Sequence, residues 1–357
     1  MANKRLYFAC EAVGFAPDGS QAYTAAHGVQ SVGVTTSFNT EPVFELGQIK
    51  IYENIENIPD VEVTMEKVVD GYPLLWHLAT RGATGDDLAA RSNAKATVSL
   101  SLFPDTGNSA SGAPVAELNM SGLYASSHSL TIPVEGNISE SITLIGNNKT
   151  WRVGAGAVFS GNFDNTDRPL AVTYGSGGVQ RRENVLFTPT VATLDANNQV
   201  NATSTNPFTI LPADVAGISS SGVNHQSADG NNYSCSIQNI NVSVNLGRDQ
   251  ILELGRKTPY FRFVTFPVEV TSEIEIISKS GDWITAKEVG NYSDGNNTRS
   301  ATIKVALQDG TFVDLGTENR LTNITLGGGD TGGGNQTITY SFSTYNDYTI
   351  THPQDPN

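Results

Sequence analysis

The chain has 357 residues, enough for two ordinary domains that each bury a core, and its 38% hydrophobic and 16% charged content with 35 glycines suits short strands joined by turns. A net charge of −15 argues against adhesion to nucleic acid, which gains affinity when Lys and Arg neutralise phosphate, although it permits an acidic surface past which DNA moves without sticking. Cys10 and Cys235 are far apart and offer neither a disulfide framework nor metal spacing. No membrane span or secretory leader is read, so the chain is expected to fold where it is made, with reduced thiols.

Residues 1–28 read as a short apolar strand at Leu6–Ala9 and then a loop around Ala16–Gly19. A strand at 29–38 follows, then a connection through Asn39–Pro42 that projects from the sheet and reaches Ile49, and a strand around 49–55. In Val61–Val69, Val61, Val63 and Met65 face one way and Glu62, Thr64 and Glu66 the other, as in a half-buried strand. Asp70–Pro73 sets up a short helix that carries Leu74, Leu75 and Leu78 and stops at Gly82. Strands are expected at 96–103, 115–124 and 128–134, and then from Ile138 through Leu144. Residues 152–232 are rich in Gly, Asn, Ser, Asp and Pro; a domain boundary is placed near 165, with strand-like Leu170–Tyr174 and Val185–Phe187 assigned to the second domain.

From Ile237 the pattern begins again. Ile237–Glu273 is a diverged copy of Val29–Glu66: Gln30 falls on Gln238, Val34 on Val242, Glu45-Leu46-Gly47 on Glu253-Leu254-Gly255, Tyr52 on Tyr260 and Pro59 on Pro267. With one residue dropped, Val61–Thr64 meets Val268–Thr271 and Glu66 meets Glu273. Further on, Ser280–Trp283 replaces the helix start, Ala301–Val305 matches Ala96–Leu100, Asn323–Leu326 matches Ser129–Ile132, and Gln336–Phe342 takes the place of Ser139–Ile145. The expected organisation is therefore one β-rich unit used twice, as residues 1–165 and 166–357, the second with an extended Gly/Asn/Ser-rich N-terminal segment.

Most motifs have a bland reading. The run Gly327–Gly334 lacks the Gly-Lys-Ser/Thr ending of a phosphate loop and reads as a hairpin tip. His27, His77, His128, His225 and His352 have no ligand spacing. Asp229–Asn232 and Asp294–Asn297 read as Asx turns. Asn-x-Ser/Thr triplets such as that at Asn119 follow from composition, and Ser219–Ser221 is not a nucleophile elbow. No catalytic constellation, cofactor site or metal site is predicted. The carboxylates Glu62, Glu66, Glu269, Glu273 and Glu275 lie opposite the apolar residues of their strands. They are either an ordinary solvated sheet face or the lining of a channel with negative potential.

The run Asn245–Glu275, the Gly217–Gly222 stretch upstream of it and Val134–Trp151 resemble the tail tube (major tail) proteins of tailed bacteriophages, in a form with two tube domains. The resemblance spans roughly 29–150 and 215–345. It implies a mainly β fold of two tandem β-sandwich tube-type domains, each with a short flanking helix, whose inner sheets join those of neighbours into rings that stack into a hollow tube crossed by DNA. Single-domain family members use six subunits per ring, so a duplicated chain implies homotrimeric, pseudo-hexameric rings rather than hexamers. The same resemblance implies contacts with other tail proteins such as sheath, terminator or baseplate, a place in the virion tail after assembly in the host cytoplasm, no membrane partner and no enzymatic activity. Carried onto this chain, the lumen candidates are the five glutamates above. The loops Asn39–Gly47 and Gly247–Gly255, with Glu41, Glu45, Gly47, Arg248, Asp249, Glu253, Gly255 and Arg256, are the candidates for reaching the adjacent ring. Arg248, Arg256 and Lys257 replace Thr40, Gln48 and Ile49, so the two loops are not expected to make identical contacts. A tail terminator, tube initiator or baseplate ring protein would share the fold, and a secreted or surface β-sandwich adhesin is the reading from a different class.

Overall fold

The computed structural model describes residues 5–105, 110, 112–161, 178–185, 193–194, 200–201, 225–226, 232–233, 237–256, 258–259, 261–277, 300–301, 303–328 and 334–356. The expectations for Leu170–Tyr174, Ser219–Ser221, Ser280–Trp283 and Asp294–Asn297, and for most of Asp229–Asn232 and Gly327–Gly334, fall outside these residues.

The chain is mainly β, with large antiparallel sheets and few helices. Its strands in the first half are β1 (Glu11–Pro17), β2 (Thr24–Ala25), β3 (Val29–Ser37), β4 (Thr40–Phe44), β5 (Ile51–Glu56), β6 (Asp60–Val68), β7 (Ala96–Leu102), β8 (Ala116–Pro133), β9 (Ser139–Gly146) and β10 (Thr150–Val153). Helices α1 (Leu75–Ala79) and α2 (Leu88–Ser92) lie between β6 and β7. Four two-residue strands follow, β11 (Thr193–Leu194), β12 (Val200–Asn201), β13 (His225–Gln226) and β14 (Asn232–Tyr233). The second half contains β15 (Ile237–Asn245), β16 (Arg248–Ile251), β17 (Phe261–Val264), β18 (Glu269–Ile277), β19 (Ser300–Ala301), β20 (Lys304–Ala306), β21 (Phe312–Asp314), β22 (Asn319–Gly327), β23 (Thr337–Tyr345) and β24 (Thr349–Thr351).

The predicted alternation is realised. Val61, Val63 and Met65 of β6 are buried while Glu62, Thr64 and Glu66 are exposed, and β18 repeats the pattern with Val270 and Ile274 in and Glu269, Thr271 and Glu273 out. Residues 115–134, expected as two strands, form the single strand β8. A positive φ at Gly122 and a bulge between Ala125 and Ser127 bend it, so the polar pair at 126–127 marks a kink and not a turn. The bend lets one strand serve two layers. Its first part pairs with β7 and β10 in an outer sheet ordered β2-β1-β7-β8-β10, and its second part pairs with β9 in an inner sheet. The Leu6–Ala9 strand is instead a single 3-10 turn at Phe8–Cys10 leading into β1.

Helix α1 sits where Tyr72 and Pro73 place it and packs against β1, β7, β8 and β9. Its first amides point at the core, a position that demands an acceptor. Glu140 of β9 supplies it, accepting from the Leu75 and Trp76 N–H groups at 2.7 Å each. The second helix, α2, follows from no signal noted in the sequence. Its Arg91 is buried and paired with Asp86 and, across the chain, with Asp355.

The inner sheet does not stop at the end of the first half. Strand β8 pairs with β15, giving the antiparallel order β3-β6-β9-β8-β15-β18-β23-β22. Strands β3, β6, β9 and β8 have their counterparts, in the same order, in β15, β18, β23 and β22. A single apolar cluster runs under both halves, from Phe15, Val63 and Trp76 to Ile274, Tyr340 and Ile350. The sequence alignment is two residues out at β18, however: the bulges at Gln30 and Gln238 coincide as aligned, whereas Glu66 corresponds to Glu275 and not to Glu273. Thr36 pairs with Val61, so the aligned positions would set Val244 against Val268, whereas Val244 pairs with Val270. A slip of two preserves which face each side chain takes, which is why alternation could not reveal it.

Candidate functional site

Three features of the described residues lie outside ordinary core packing: a polar sheet face, two inner-sheet edges left largely unpaired and two bare hairpin tips.

The polar face belongs to the eight-stranded inner sheet. One row across it reads Ser31, Glu66, Ser141, Ser129, Ser243, Thr271, Ser343 and Arg320, each residue opposite the next. Neighbouring rows add Glu62 opposite Thr35, Glu269 opposite Tyr345, Glu273 between Asn241 and Ser341, and Glu275 between Asn239 and Thr339. All five glutamates singled out from the sequence therefore share one face. They form two stripes, on β6 and β18, separated by the Ser, Thr and Asn residues of β9, β8 and β15. The one cation in that row, Arg320 at the outer edge, pairs with Glu318 at 3.5 Å. Where the two halves meet, the face has a hollow of about 510 Å³ whose walls include Ser127, Ser129, Ser243, Asn245, Glu269 and Thr271.

The inner sheet ends in β3 on one side and β22 on the other. Among the described residues, β3 pairs only with β6, and β22 pairs with β23 along its length and with β19 at just two residues. Their inward-facing side chains are incompletely covered: Val32 and Val34 are only partly buried, and Leu326 is 54% exposed. At the internal seam the corresponding residues are closed off, with Leu130, Val242 and Val244 almost completely buried and Ile132 at 5%. The difference has a plain cause. Strand β15 has β8 beside it, whereas among the described residues no strand pairs with the outer side of β3.

The repeated Glu-Leu-Gly forms both hairpin tips. Gln48 N–H donates to the Glu45 carbonyl at 3.2 Å with Gly47 at φ 94°, and Arg256 N–H donates to the Glu253 carbonyl at 3.3 Å with Gly255 at φ 83°. A turn with positive φ at its third position requires glycine, which accounts for the motif in both copies. The turn leaves Leu46 and Leu254 wholly exposed, with Ile49 beside the first. Strands β3 and β15 run parallel, so both tips leave the same end of the molecule. The hairpins differ at their bases. In β4–β5 nearly every residue is exposed, Glu41 and Glu45 included. In β16–β17, Arg248 reaches back to donate to the Ser92 and Ala125 carbonyls at 2.6 Å and lies over the Tyr124 ring. Burial brings the Arg248 pKa down to about 10. Arg262 binds Asp60 at 2.7 Å and Asn147, and Asp249 accepts from Thr265 at 2.9 Å. Arg256 pairs with Glu253 near the tip at 3.3 Å. Arg248 is thus committed to the first half of its own chain, while the residues of the first hairpin are almost all exposed.

Between the layers lies a buried polar network for which the sequence carried no signal. His128 Nε2 is 2.8 Å from Glu140 and its Nδ1 bonds the Tyr348 hydroxyl, while Trp76 packs on both rings. Burial drives the Glu140 pKa up, and the His128 hydrogen bond and charge, the Trp76 amide and Lys67 more than offset it, holding the carboxyl below its usual value. Nearby, His77 Nε2 donates to the Ile350 carbonyl at 3.0 Å. These residues join α1, β8 and β9 of one half to the C-terminal segment of the other. Among the described residues no group of three or more His, Cys, Asp or Glu is placed to hold a metal ion.

No family model matches the chain, and no curated protein matches it. Among solved structures it is similar to the tube-terminating cap of the anti-feeding prophage, at 13% identity and TM-score 0.31 over 43% of this chain and 95% of that one. It is also similar to a chain of the sheath–tube complex of an extracellular contractile injection system, at 13% identity and TM-score 0.31 over 42% and 93%. A sheath/tube terminator chain of the same kind of system overlaps at 16% identity and TM-score 0.32 over 43% and 100%. At these TM-scores the overlaps decide nothing about role or assembly.

Proposed function

We propose that the protein is a structural subunit of a phage tail that assembles head to tail into rings, stacked as the hollow tube through which DNA is ejected. The observation that carries this reading is the pair of unfinished sheet edges. The chain already joins two copies of one unit through β8 and β15, and it presents the same two kinds of edge, β22 and β3, at its ends. A heterologous contact of this kind repeats until it closes, and closure removes the exposed edges altogether. Six units in a ring correspond to three subunits, with residues 1–165 and 166–357 as the two tube units. The polar face then lines the lumen. Its two stripes of Glu and intervening neutral hydroxyls and amides give a surface that repels phosphate, with Arg320, paired to Glu318, at its outer edge. The hairpin tips, all on one rim, supply apolar contacts to the next ring. The chain has no catalytic role in this reading, and its partners are itself and other tail proteins.

The test is electron microscopy of the purified full-length protein with light scattering on the same sample. Three-subunit rings or hollow tubes support the proposal. Rings that never stack move the protein to a terminator, initiator or baseplate role. A protein that stays monomeric at every concentration and salt condition, and binds sugar or calcium, overturns it in favour of an adhesin.

A further inference from the structure

The two halves superpose through their strand pairings and their bulges. The bulge at Gln30 in β3 falls on that at Gln238 in β15, and the bulge at Ser126 in β8 on that at Thr322 in β22. Ser31 therefore corresponds to Asn239, Glu66 to Glu275 and Ser129 to Thr325. The projecting hairpins follow the same correspondence: Thr40 opposite Glu56 takes the place of Arg248 opposite Val264, and Val43 opposite Glu53 that of Ile251 opposite Phe261. The internal seam, where the second unit sits beside the first, is thus a residue-level template for the first unit of one chain beside the second unit of another.

Inside the chain, the base of the β16–β17 hairpin lies on the first unit. Phe261 packs edge-on against Tyr124 at a ring-centroid distance of 5.5 Å, and Arg262 binds Asp60. Beneath the hairpin Tyr124 is only 4% exposed. Tyr124 stands two residues before the bulge at Ser126, so its counterpart is Arg320, two residues before that at Thr322, and the Arg320 side chain is 45% exposed. The counterpart of Phe261 is Glu53, on a strand exposed throughout. Both members of the pair have changed together, from aromatic on aromatic at the internal seam to acid and base at the ends of the chain. The neighbouring pair keeps its chemistry, since Asn54 replaces Arg262 as donor and Glu269 replaces Asp60 as acceptor. Residues 40–56 also carry Glu41, Glu45 and Glu56 against a single cation, Lys50, which suits a basic target.

We propose that the base of the β4–β5 hairpin seats on the second unit of the neighbouring subunit in the same ring, with the Glu53 carboxylate accepting from the Arg320 guanidinium. This rests on the ring reading above and names the contact that fastens one subunit to the next. The strand pairing that carries it is antiparallel β3 on β22, with Thr35 opposite Thr325 and Val34 opposite Leu326, as Ser243 stands opposite Ser129 and Val242 opposite Leu130 inside the chain. Leu326, 54% exposed in the single chain, then takes the place of Leu130, which is 1% exposed. Glu53 meets the Arg320 of another copy because β3 and β22 are the two end strands of one eight-stranded sheet. Arg320 keeps its exposed contact with Glu318 at 3.5 Å, and Glu53 joins as a second carboxylate. The tip at Leu46 stays clear of this seat, just as Leu254 is wholly exposed beyond the internal one, and is left for the adjacent ring.

The experiment uses the full-length chain with Glu53→Arg, with Arg320→Glu and with both, each read for ring assembly by light scattering over a range of concentrations. Each single reversal brings like charges together and is expected to weaken association roughly tenfold, and the double reversal to return it to within about threefold of the parent. Both side chains are exposed in the single chain, so the monomer's melting temperature is expected to stay where it is. The register is read separately by mild oxidation. Thr35→Cys with Thr325→Cys is expected to give covalent closed trimers, since directly opposed residues lie about 4.5–5.5 Å apart, within disulfide range. Ser31→Cys with Thr325→Cys, four residues and about 13 Å out, is expected to give only the level of the single-cysteine variants. Single reversals that assemble like the parent, a double reversal no better than the singles, or cross-linking through Ser31 overturn the seat while leaving the ring reading intact. Failure of the unsubstituted protein to form rings at all overturns the ring reading itself, and this contact with it.

Discussion

Acidification should loosen the seam between the two halves, and His77 provides a way to measure it. Its side chain is fully buried, with Nε2 bonded to the Ile350 carbonyl and Asp355 at 3.6 Å. The groups around it are Asp355, Arg91, Glu140 and, at a ring distance of 6.1 Å, His352. Burial lowers its pKa from 6.5 to about 4; the Asp355 charge opposes this and Arg91 reinforces it. A base whose pKa is depressed on folding is protonated first in the unfolded chain. Its contribution to stability is therefore intact above pH 6.5 and is lost as the pH falls toward 4. A displacement of that size corresponds to about 3 kcal/mol for this one residue, with a slope of at most about 1.4 kcal/mol per pH unit. His352, which burial pushes the same way, adds to the fall. The perturbation is His77→Gln, which keeps a donor for the Ile350 carbonyl and cannot titrate. Urea melts at pH 7.5, 6.5, 5.5 and 4.5 should show the variant losing stability more slowly with acid than the parent, by an amount approaching one proton's slope. Identical slopes for the two proteins would show that the seam does not feel the His77 charge, and the argument from burial would fail.

Other expectations follow from the same geometry. Glu140→Ala removes the acceptor of two helix amides and of His128, leaving buried donors unpaired, and should cost about 3–5 kcal/mol in chemical denaturation; a loss below about 1 kcal/mol would mean water enters the site. Leu46→Asp with Ile49→Asp should leave ring formation unchanged and shorten or abolish stacked tubes in electron micrographs, since both side chains are already exposed in the monomer; tubes of normal length would remove the first hairpin from the ring-to-ring contact. Glu62→Lys with Glu269→Lys should permit assembly but slow DNA release, and more so at low salt, because lumen cations would condense on phosphate. Unchanged ejection kinetics in salt-matched buffer would refute the lumen assignment.

Much of the fold was legible before any coordinates. Strands β3, β6, β15 and β18 follow from strict alternation, and α1 from Tyr72-Pro73 and its leucines, because local geometry decides those patterns. The five glutamates were placed on one side of their strands by the same rule, and the structure sets them on one continuous face. Glu-Leu-Gly was visible as a repeat, although its physical reason, a turn that needs glycine and strands a leucine in solvent, came from the backbone angles. Strand β8 was misread as two because Ser126 and Ser127 resemble a turn in isolation. Its partners, β7 and β10 on one side of the bend and β9 and β15 on the other, hold it as one strand.

Alternation, repeat and turn chemistry are near-neighbour properties, and the sequence by itself determined them: a mainly β chain with a stretch that recurs, each copy with a wet face and a projecting hairpin. Only the tertiary structure decided how the copies join. That Val244 meets Val270, that β8 meets β15, and that Arg248 folds back while the first hairpin stands free all depend on contacts between distant residues. A shift of two residues leaves every side chain on its proper face, so no local pattern can report it. The buried charges of Arg91 and Glu140 were hidden for a related reason. Each is tolerated in the core through partners that chain order does not bring together, such as Asp355 for Arg91 and the α1 amides for Glu140, and only the packed structure supplies them.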